Sequence, residues 1–186
     1  MVRLERYSLI DHFLILIGSW IEALGQLLSA TGETRNLAGI NDINQHLITV
    51  GEGLQSIGGI IQGSGETDPI SRVGNFVEAA GAAGSSVAAK RQIENGTLED
   101  LQLEVFGDSL QGLGAFISAG AEEENILIIG NVLAGLGATL EAIGGATEIR
   151  GQPRRGQQLS FIGSWLQFYG GILQALYISY LLVAEE

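Results

Sequence analysis

Val50-Gly51-Glu52-Gly53-Leu54-Gln55-Ser56-Ile57-Gly58 sets two glycines seven residues apart, with a large apolar residue before each glycine and another at Leu54. Phe106-Gly107-Asp108-Ser109-Leu110-Gln111-Gly112-Leu113-Gly114 repeats that arrangement 56 positions later. Ile162-Gly163-Ser164-Trp165-Leu166-Gln167-Phe168-Tyr169-Gly170 repeats it after 56 more. A second set of glycine heptads, Gly18-Gly25, Gly74-Gly81 and Gly130-Gly137, recurs at the same interval. Self-similarity at a fixed period marks a repeat architecture. The chain therefore reads as one domain, 1–186, made of three copies of one unit at about 14–69, 70–125 and 126–181.

With each glycine at heptad position a, positions c, g and d are large and apolar, as in Trp20, Ile17 and Ile21 or Phe116, Leu113 and Ile117. On a helix of 3.6 residues per turn these positions form one broad apolar arc. Glycine borders the arc on one side, and small f residues such as Ala23, Ala79 and Gly135 border it on the other. Positions e and b are polar and carry the mid-helix acids: Glu22, Glu78 and Glu141 at e, Glu52 and Asp108 at b. Interior helical glycine costs about 1 kcal/mol relative to alanine, so so many glycines need a compensating gain. Close backbone approach supplies one. Gly18, Gly25, Gly51, Gly58, Gly74, Gly81, Gly107, Gly114, Gly130, Gly137, Gly163 and Gly170 are the expected helix-packing positions. A spacing of seven matches a heptad seam more than a GxxxG face.

Only Pro69 and Pro153 occur, both where the repeat places a connection. Asp68-Pro69 reads as N-cap and first helical residue, Thr97-Leu98-Glu99-Asp100 as a capping box, and Asn41 as a cap at the equivalent place. Gly32 and Gly65 read as C-caps. The expected helices cover about 4–31, 41–63, 68–94, 97–120, 124–149 and 153–183. Short connections make consecutive helices antiparallel neighbours. The fold class is all-α: an up-down six-helix bundle of three helical hairpins, for which small residues on both borders suit a ring around a packed centre, with a layered bundle or an open solenoid as alternatives.

The repeated segment Val50-Gly51-x-x-Leu54-Gln55-x-x-Gly58, matched by Phe106-Gly107-x-x-Leu110-Gln111-x-x-Gly114, resembles that of a family of repetitive helical proteins from spore-forming Firmicutes. The resemblance spans nearly the whole chain and implies a helical repeat with no attached activity.

Composition excludes several classes. A formal charge of −12 argues against a nucleic-acid partner, which needs a basic stripe, and disfavours electrostatic attachment to anionic lipid. There is no cysteine, hence no disulfide and no thiolate chemistry. The apolar start near Phe13-Leu14-Ile15-Leu16-Ile17 is interrupted by Asp11 and His12 and reads as helix one, not as a signal sequence. His12 and His46 lack metal-ligand spacing, and Glu122-Glu123-Glu124 lacks a calcium-loop pattern. Ser and Thr have no paired histidine and acid, and Gly112-Leu113-Gly114 lacks the Lys-Ser/Thr of a phosphate loop. The expectation is a non-enzymatic protein without cofactor or metal. Charge is uneven between the two ends. The turns within each repeat hold Arg35, Lys90, Arg91, Arg150, Arg154 and Arg155 against Glu33, Asp42, Glu94, Glu99, Asp100, Glu104 and Glu148, which leaves that end close to neutral, whereas the other end is strongly acidic.

Helix six stands apart, since no charge occurs from Gln157 to Val183. Its b and e positions Ser164, Gln167, Gly171, Gln174, Ile178 and Leu181, with the neighbouring Phe168, suggest an interface. The leading expectation is a cytoplasmic structural or interaction protein that self-associates into a homo-oligomer through this helix. Mid-helix acids would be costly in lipid, which argues against a fully embedded bundle. A membrane-associating or pore-forming protein is the alternative, with peripheral contact through helix six. A carrier of a small apolar ligand in a central cavity is a third reading. Gln55, Gln111 and Gln167 recur in all three units, either as a polar ladder or as a relic of duplication.

Overall fold

The computed structural model describes residues 8–40 and 42–184. Six helices follow in order: α1 Leu9–Leu37, α2 Asn44–Gly65, α3 Pro69–Glu94, α4 Leu98–Ala121, α5 Asn125–Ile149 and α6 Pro153–Val183. No strand occurs among the described residues. Each helix packs on the one before and the one after it, and α6 closes on α1. The bundle is a ring in chain order.

Two of the expected caps are present. Asp68 accepts from the Ile70 and Ser71 amides ahead of Pro69, and Thr97 forms a reciprocal capping box with Asp100. A further capping box pairs Ser8 with Asp11 and starts α1. Asn41 lies outside the described residues. The first helix runs past its expected end: Gly32 is not a C-cap but an interior residue pressed against Ile48 and the Asn44 carbonyl of α2. The chain reverses instead at Gly39, whose φ of +74° suits glycine. Gly96 and Gly151 take positive φ in the turns of the second and third hairpins.

Within each hairpin the a-position glycines zip two backbones together. A Cβ on Gly25 would lie 2.5 Å from the Gly51 carbonyl oxygen, and one on Gly51 would lie 2.6 Å from that of Gly25. Gly81 faces Gly107, Gly137 faces Gly163, and Gly130 faces Gly170 in the same reciprocal way. Small residues on the opposite border serve the contacts between hairpins. Gly59 meets Ala79, while Phe76 and Phe116 lie across Gly63 and Gly135. Tryptophans seal the α1–α6 junction: Trp20 Nε1 donates to Ser179 Oγ and Trp165 Nε1 to Thr34 Oγ1, each at 3.0 Å.

The distribution of polarity is inverted relative to a water-soluble bundle. Among the described residues the buried apolar side chains are alanines apart from Ile48, Leu127 and Ile178. The largest fully buried side chains are Gln26 and Gln111, followed by serines. The g positions point outward, with Ile17, Leu24, Val50, Ile57, Val73, Leu113, Ile129 and Leu136 all exposed. The polar b and e faces are the inner ones. The mid-helix acids Glu22, Glu52, Asp108 and Glu141 on those faces are accordingly buried in the ring. Glycine and f borders fix where a helix touches its neighbours, but they do not say which remaining face turns inward. Here the smaller side chains fill the narrow centre and the large apolar ones take the outside.

Candidate functional site

The interior of the ring is the candidate site, and it is built three times over. In the first hairpin Ser29 Oγ donates to Glu52 Oε1 at 2.8 Å, and Gln55 Nε2 donates to the same oxygen at 2.8 Å. In the second, Ser85 Oγ donates to Asp108 Oδ1 at 2.6 Å, and Gln111 Nε2 reaches that oxygen at 3.5 Å. Gln111 also crosses the ring from α4 to α2, donating to Glu52 Oε2 at 3.0 Å. In the third, Gln167 Nε2 donates to Glu141 Oε2. Each recurring glutamine thus hydrogen-bonds the acid of its own hairpin.

Nearer the chain termini lies a second polar layer. Gln62 Nε2 donates to Glu22 Oε2, Gln26 Nε2 reaches Glu22 Oε1 at 3.4 Å, and Glu78 lies within hydrogen-bonding reach of Glu22. Two cavities flank these layers. The larger, about 110 Å³, lies toward the turns within the hairpins and is walled by carboxylates from Glu33, Glu52, Glu104, Asp108, Glu141 and Glu148. Among the described residues no Lys, Arg or His lines it. The smaller, about 50 Å³, lies toward the termini, and Ile15, Leu127, Ile178, Leu181 and Leu182 supply its apolar wall.

The outer surface complements this interior. Exposed charges sit near helix ends or in turns, as with Asp42, Arg72, Lys90, Arg91, Glu123 and Arg154. On the outer face of α3 nothing charged intervenes between Arg72 and Lys90, a rise of about 27 Å at 1.5 Å per residue. Hydroxyls on helix flanks are satisfied within their own helix: Thr31 donates to the Leu27 carbonyl, Ser64 to Ile60, Ser109 to Val105 and Thr147 to Ile143. At the end that holds the turns within the hairpins, the Arg35 guanidinium hydrogen-bonds Asp42 and holds its carboxyl below the usual carboxylate range.

Several expected site residues fall elsewhere. Ser164, Gln167, Gly171 and Ile178 of the anticipated α6 interface are buried inside this chain, while Phe168, Gln174 and Leu181 are half-buried. Their polar face lines the ring, so it is not an outer docking surface for a second copy. His12 begins α1 and His46 begins the antiparallel α2, which places them at opposite ends of the ring. Glu122 lines the smaller cavity, Glu123 is exposed, and Glu124 accepts from the Tyr177 hydroxyl at 2.9 Å. Among the described residues no three His, Cys, Asp or Glu side chains converge as a metal site. Sequence reading placed the acids on one face but missed that Ser29, Ser85 and the three glutamines pair with them.

Residues 13–175 match the model of a family of unknown function, DUF6944, and the chain belongs to that family. No curated protein and no solved structure matches it.

Proposed function

We propose that this chain is an integral membrane protein, a six-helix barrel with apolar arcs against lipid and an acidic, polar lumen inside. The observation that carries this reading is the inversion of polarity: exposed Ile, Leu, Val and Phe around the ring, buried Gln, Glu and Ser within it. In water such a surface would be a large aggregation-prone patch, and the buried acids would have displaced an apolar core for no gain. In a bilayer both features fit, since intramembrane ionisable residues face the interior of a bundle or a water-filled cavity. The charge-free band of about 27 Å is close to the roughly 30 Å hydrocarbon core. Helices α1, α5 and α6 are long and apolar enough to cross by composition alone. The other three are diluted by their lumen-facing residues, as expected of helices that share a polar centre. Internally bonded hydroxyls on the outer flanks meet the requirement that polar groups in lipid find partners within the protein.

On this reading the protein is non-enzymatic, and its lumen accommodates polar or positively charged species. A carrier for an apolar ligand is less well supported. The larger cavity is walled by carboxylates, and the smaller, about 50 Å³, is well below the roughly 150 Å³ that holds a benzene. Expression followed by membrane fractionation tests the proposal. The protein should stay in the pellet after alkaline carbonate washing and float with liposomes on a density gradient. Quantitative recovery in the soluble fraction without detergent would overturn it.

A further inference from the structure

We infer that the smaller cavity is a site in the transmembrane lumen for a small neutral molecule of the primary-amide or urea class, held between the carboxamides of Asn131 and Gln174; the inference deepens the membrane reading and rests on it. Six polar residues occupy repeat-equivalent positions here: Ser19, Asn75 and Asn131 on the first helices of the hairpins, and Gln62, Ser118 and Gln174 on the second. Gln62, Ser118 and Gln174 lie over the heptad glycines of the facing helices, Gly18, Gly74 and Gly130, where a Cβ would collide with them. Packing therefore seats this layer in the same way in all three hairpins. Its hydrogen bonds differ. In the first hairpin Ser19 Oγ donates to the Leu16 carbonyl at 2.9 Å, and Gln62 Nε2 donates to Glu22. In the second, Ser118 Oγ donates to Asn75 Oδ1 at 3.3 Å. In the third, neither Asn131 nor Gln174 has a hydrogen-bond partner among the described residues.

Asn131 is 5% exposed and lines the cavity together with Gln174. Buried polar groups are hydrogen-bonded in folded proteins, and a carboxamide has both N–H donors and a carbonyl acceptor to satisfy. The unpartnered Asn131 amide thus calls for a ligand that accepts and donates, and Gln174 on the facing helix presents the same two kinds of group. A primary amide or urea is complementary to both. A molecule that only accepts would leave the Asn131 and Gln174 carbonyls unpaired. The ionisable groups of the wall are engaged elsewhere: Glu66 Oε1 accepts from the Thr67 and Asp68 amides at 3.0 and 3.2 Å, and His12 and Glu122 have interactions of their own. Room sets the size of the ligand. One water needs about 10–15 Å³, so a cavity of about 50 Å³ admits roughly four non-hydrogen atoms, as in formamide, urea or acetamide. Leu127, one turn before Asn131, and Ile178, one turn after Gln174, give the ligand's carbon an apolar wall.

The test uses the full chain purified in deuterated detergent, with saturation-transfer NMR read on the methyl protons of acetamide, acetone or methylammonium. Acetamide should give a saturable signal, half-saturated on the order of millimolar for so small a ligand, and urea should displace it. Acetone has as many non-hydrogen atoms but no N–H, and should bind about ten-fold more weakly. N131L keeps the outline of the side chain, removes its polar atoms and should weaken acetamide binding about ten-fold. Q174M keeps the stem over Gly130 and should weaken it several-fold, which serves should N131L not fold. Absence of a saturable acetamide signal, as for a cavity that holds water only, would overturn the site. So would equal binding of acetone, tighter binding of methylammonium, or a signal unchanged in both variants. This experiment needs no bilayer, so protein that floats with liposomes yet ignores acetamide leaves the membrane reading standing and removes only the site. Failure to float removes both.

Discussion

Replacing Gly58, Gly114 and Gly170 with alanine puts one methyl group into the seam of each hairpin. A Cβ on Gly170 would stand 2.5 Å from the Gly130 carbonyl oxygen, against ordinary contact that begins near 3.4 Å. On Gly58 it would stand 2.7 Å from both the Glu22 amide and the Gly18 carbonyl oxygen, and on Gly114 it would stand 2.6 Å from the Gly74 carbonyl oxygen. The obstructing atoms are backbone, so the helices must separate by nearly 1 Å, and no side chain can swing away. Overpacking of this kind costs about 3 kcal/mol at the upper end of its usual range, and the gain in helix propensity returns about 1 kcal/mol. The net loss is about 2 kcal/mol per site. The sites lie in separate hairpins and should add, giving roughly 6 kcal/mol for the triple variant. Gly53 and Gly84 are the controls. A Cβ there would meet Ser86 Oγ at 3.5 Å and Gly107 Cα at 3.7 Å, both ordinary contacts. Alanine at either control should stabilise by up to about 1 kcal/mol. Unfolding of the detergent-solubilised protein, followed by circular dichroism against rising SDS fraction, reads the difference. A triple variant as stable as the wild type, or gaining as much as the controls, would refute close backbone approach as the compensation for the glycines.

Further outcomes are expected from the same structure. Gln111→Leu removes the amide that bridges Asp108 and Glu52 and should destabilise by about 3 kcal/mol; in a cycle with Glu52→Gln the two losses should be markedly non-additive. Leu113→Arg places a charge on the exposed g face of α4 and should disfavour bilayer insertion by about 3 kcal/mol, read as a fall in the carbonate-resistant fraction; the same change on a water-exposed surface would stay within about 0.5 kcal/mol. Six of the nine Lys and Arg residues belong to the turns within the hairpins, so the positive-inside rule places that end in the cytoplasm. Because the chain has no native cysteine, single cysteines at Gly96 and Glu123 should react with an impermeant maleimide from opposite sides of the membrane, and labelling of both from one side would contradict a six-fold crossing.

Much of the fold is legible in the sequence because its cues are local. The 56-residue recurrence of Gly18, Gly74 and Gly130 gives the hairpin count, and Asp68-Pro69 and Thr97 mark helix starts through their own hydrogen bonds. The end of α1 is not legible in this way. Gly32 resembles a C-cap in isolation but is held in the helix by its contact with Ile48, a partner remote in sequence. The inward face is hidden for a different reason. Angular periodicity separates an apolar arc from a polar one, yet a helix with small residues on both borders can turn either face to the centre. Size carried the missing information: outside the end of α6, b and e hold Ser, Asn, Gln, Ala, Gly and single acids, whereas g holds mostly Ile, Leu and Val. The candidate site was harder still. Comparing equivalent positions one at a time makes Glu141 and Ser164 look like lost identity with Ser29/Ser85 and Glu52/Asp108, and only the hydrogen bond from Gln167 to Glu141 across the hairpin shows that the third unit also pairs its glutamine with an acid.

The orientation of α4 in a bilayer decides most directly between an inverted barrel and an ordinary soluble bundle. Nitroxide labels on single cysteines through residues 106–117 in liposomes should give high collision rates with oxygen and low rates with a water-soluble nickel chelate at Phe106, Leu113 and Phe116, with oxygen access falling at Asp108, Gln111 and Ala115 in a period of 3.6 residues. High nickel accessibility at Phe106, Leu113 and Phe116 would mean that these side chains face water, and the inverted arrangement would be wrong.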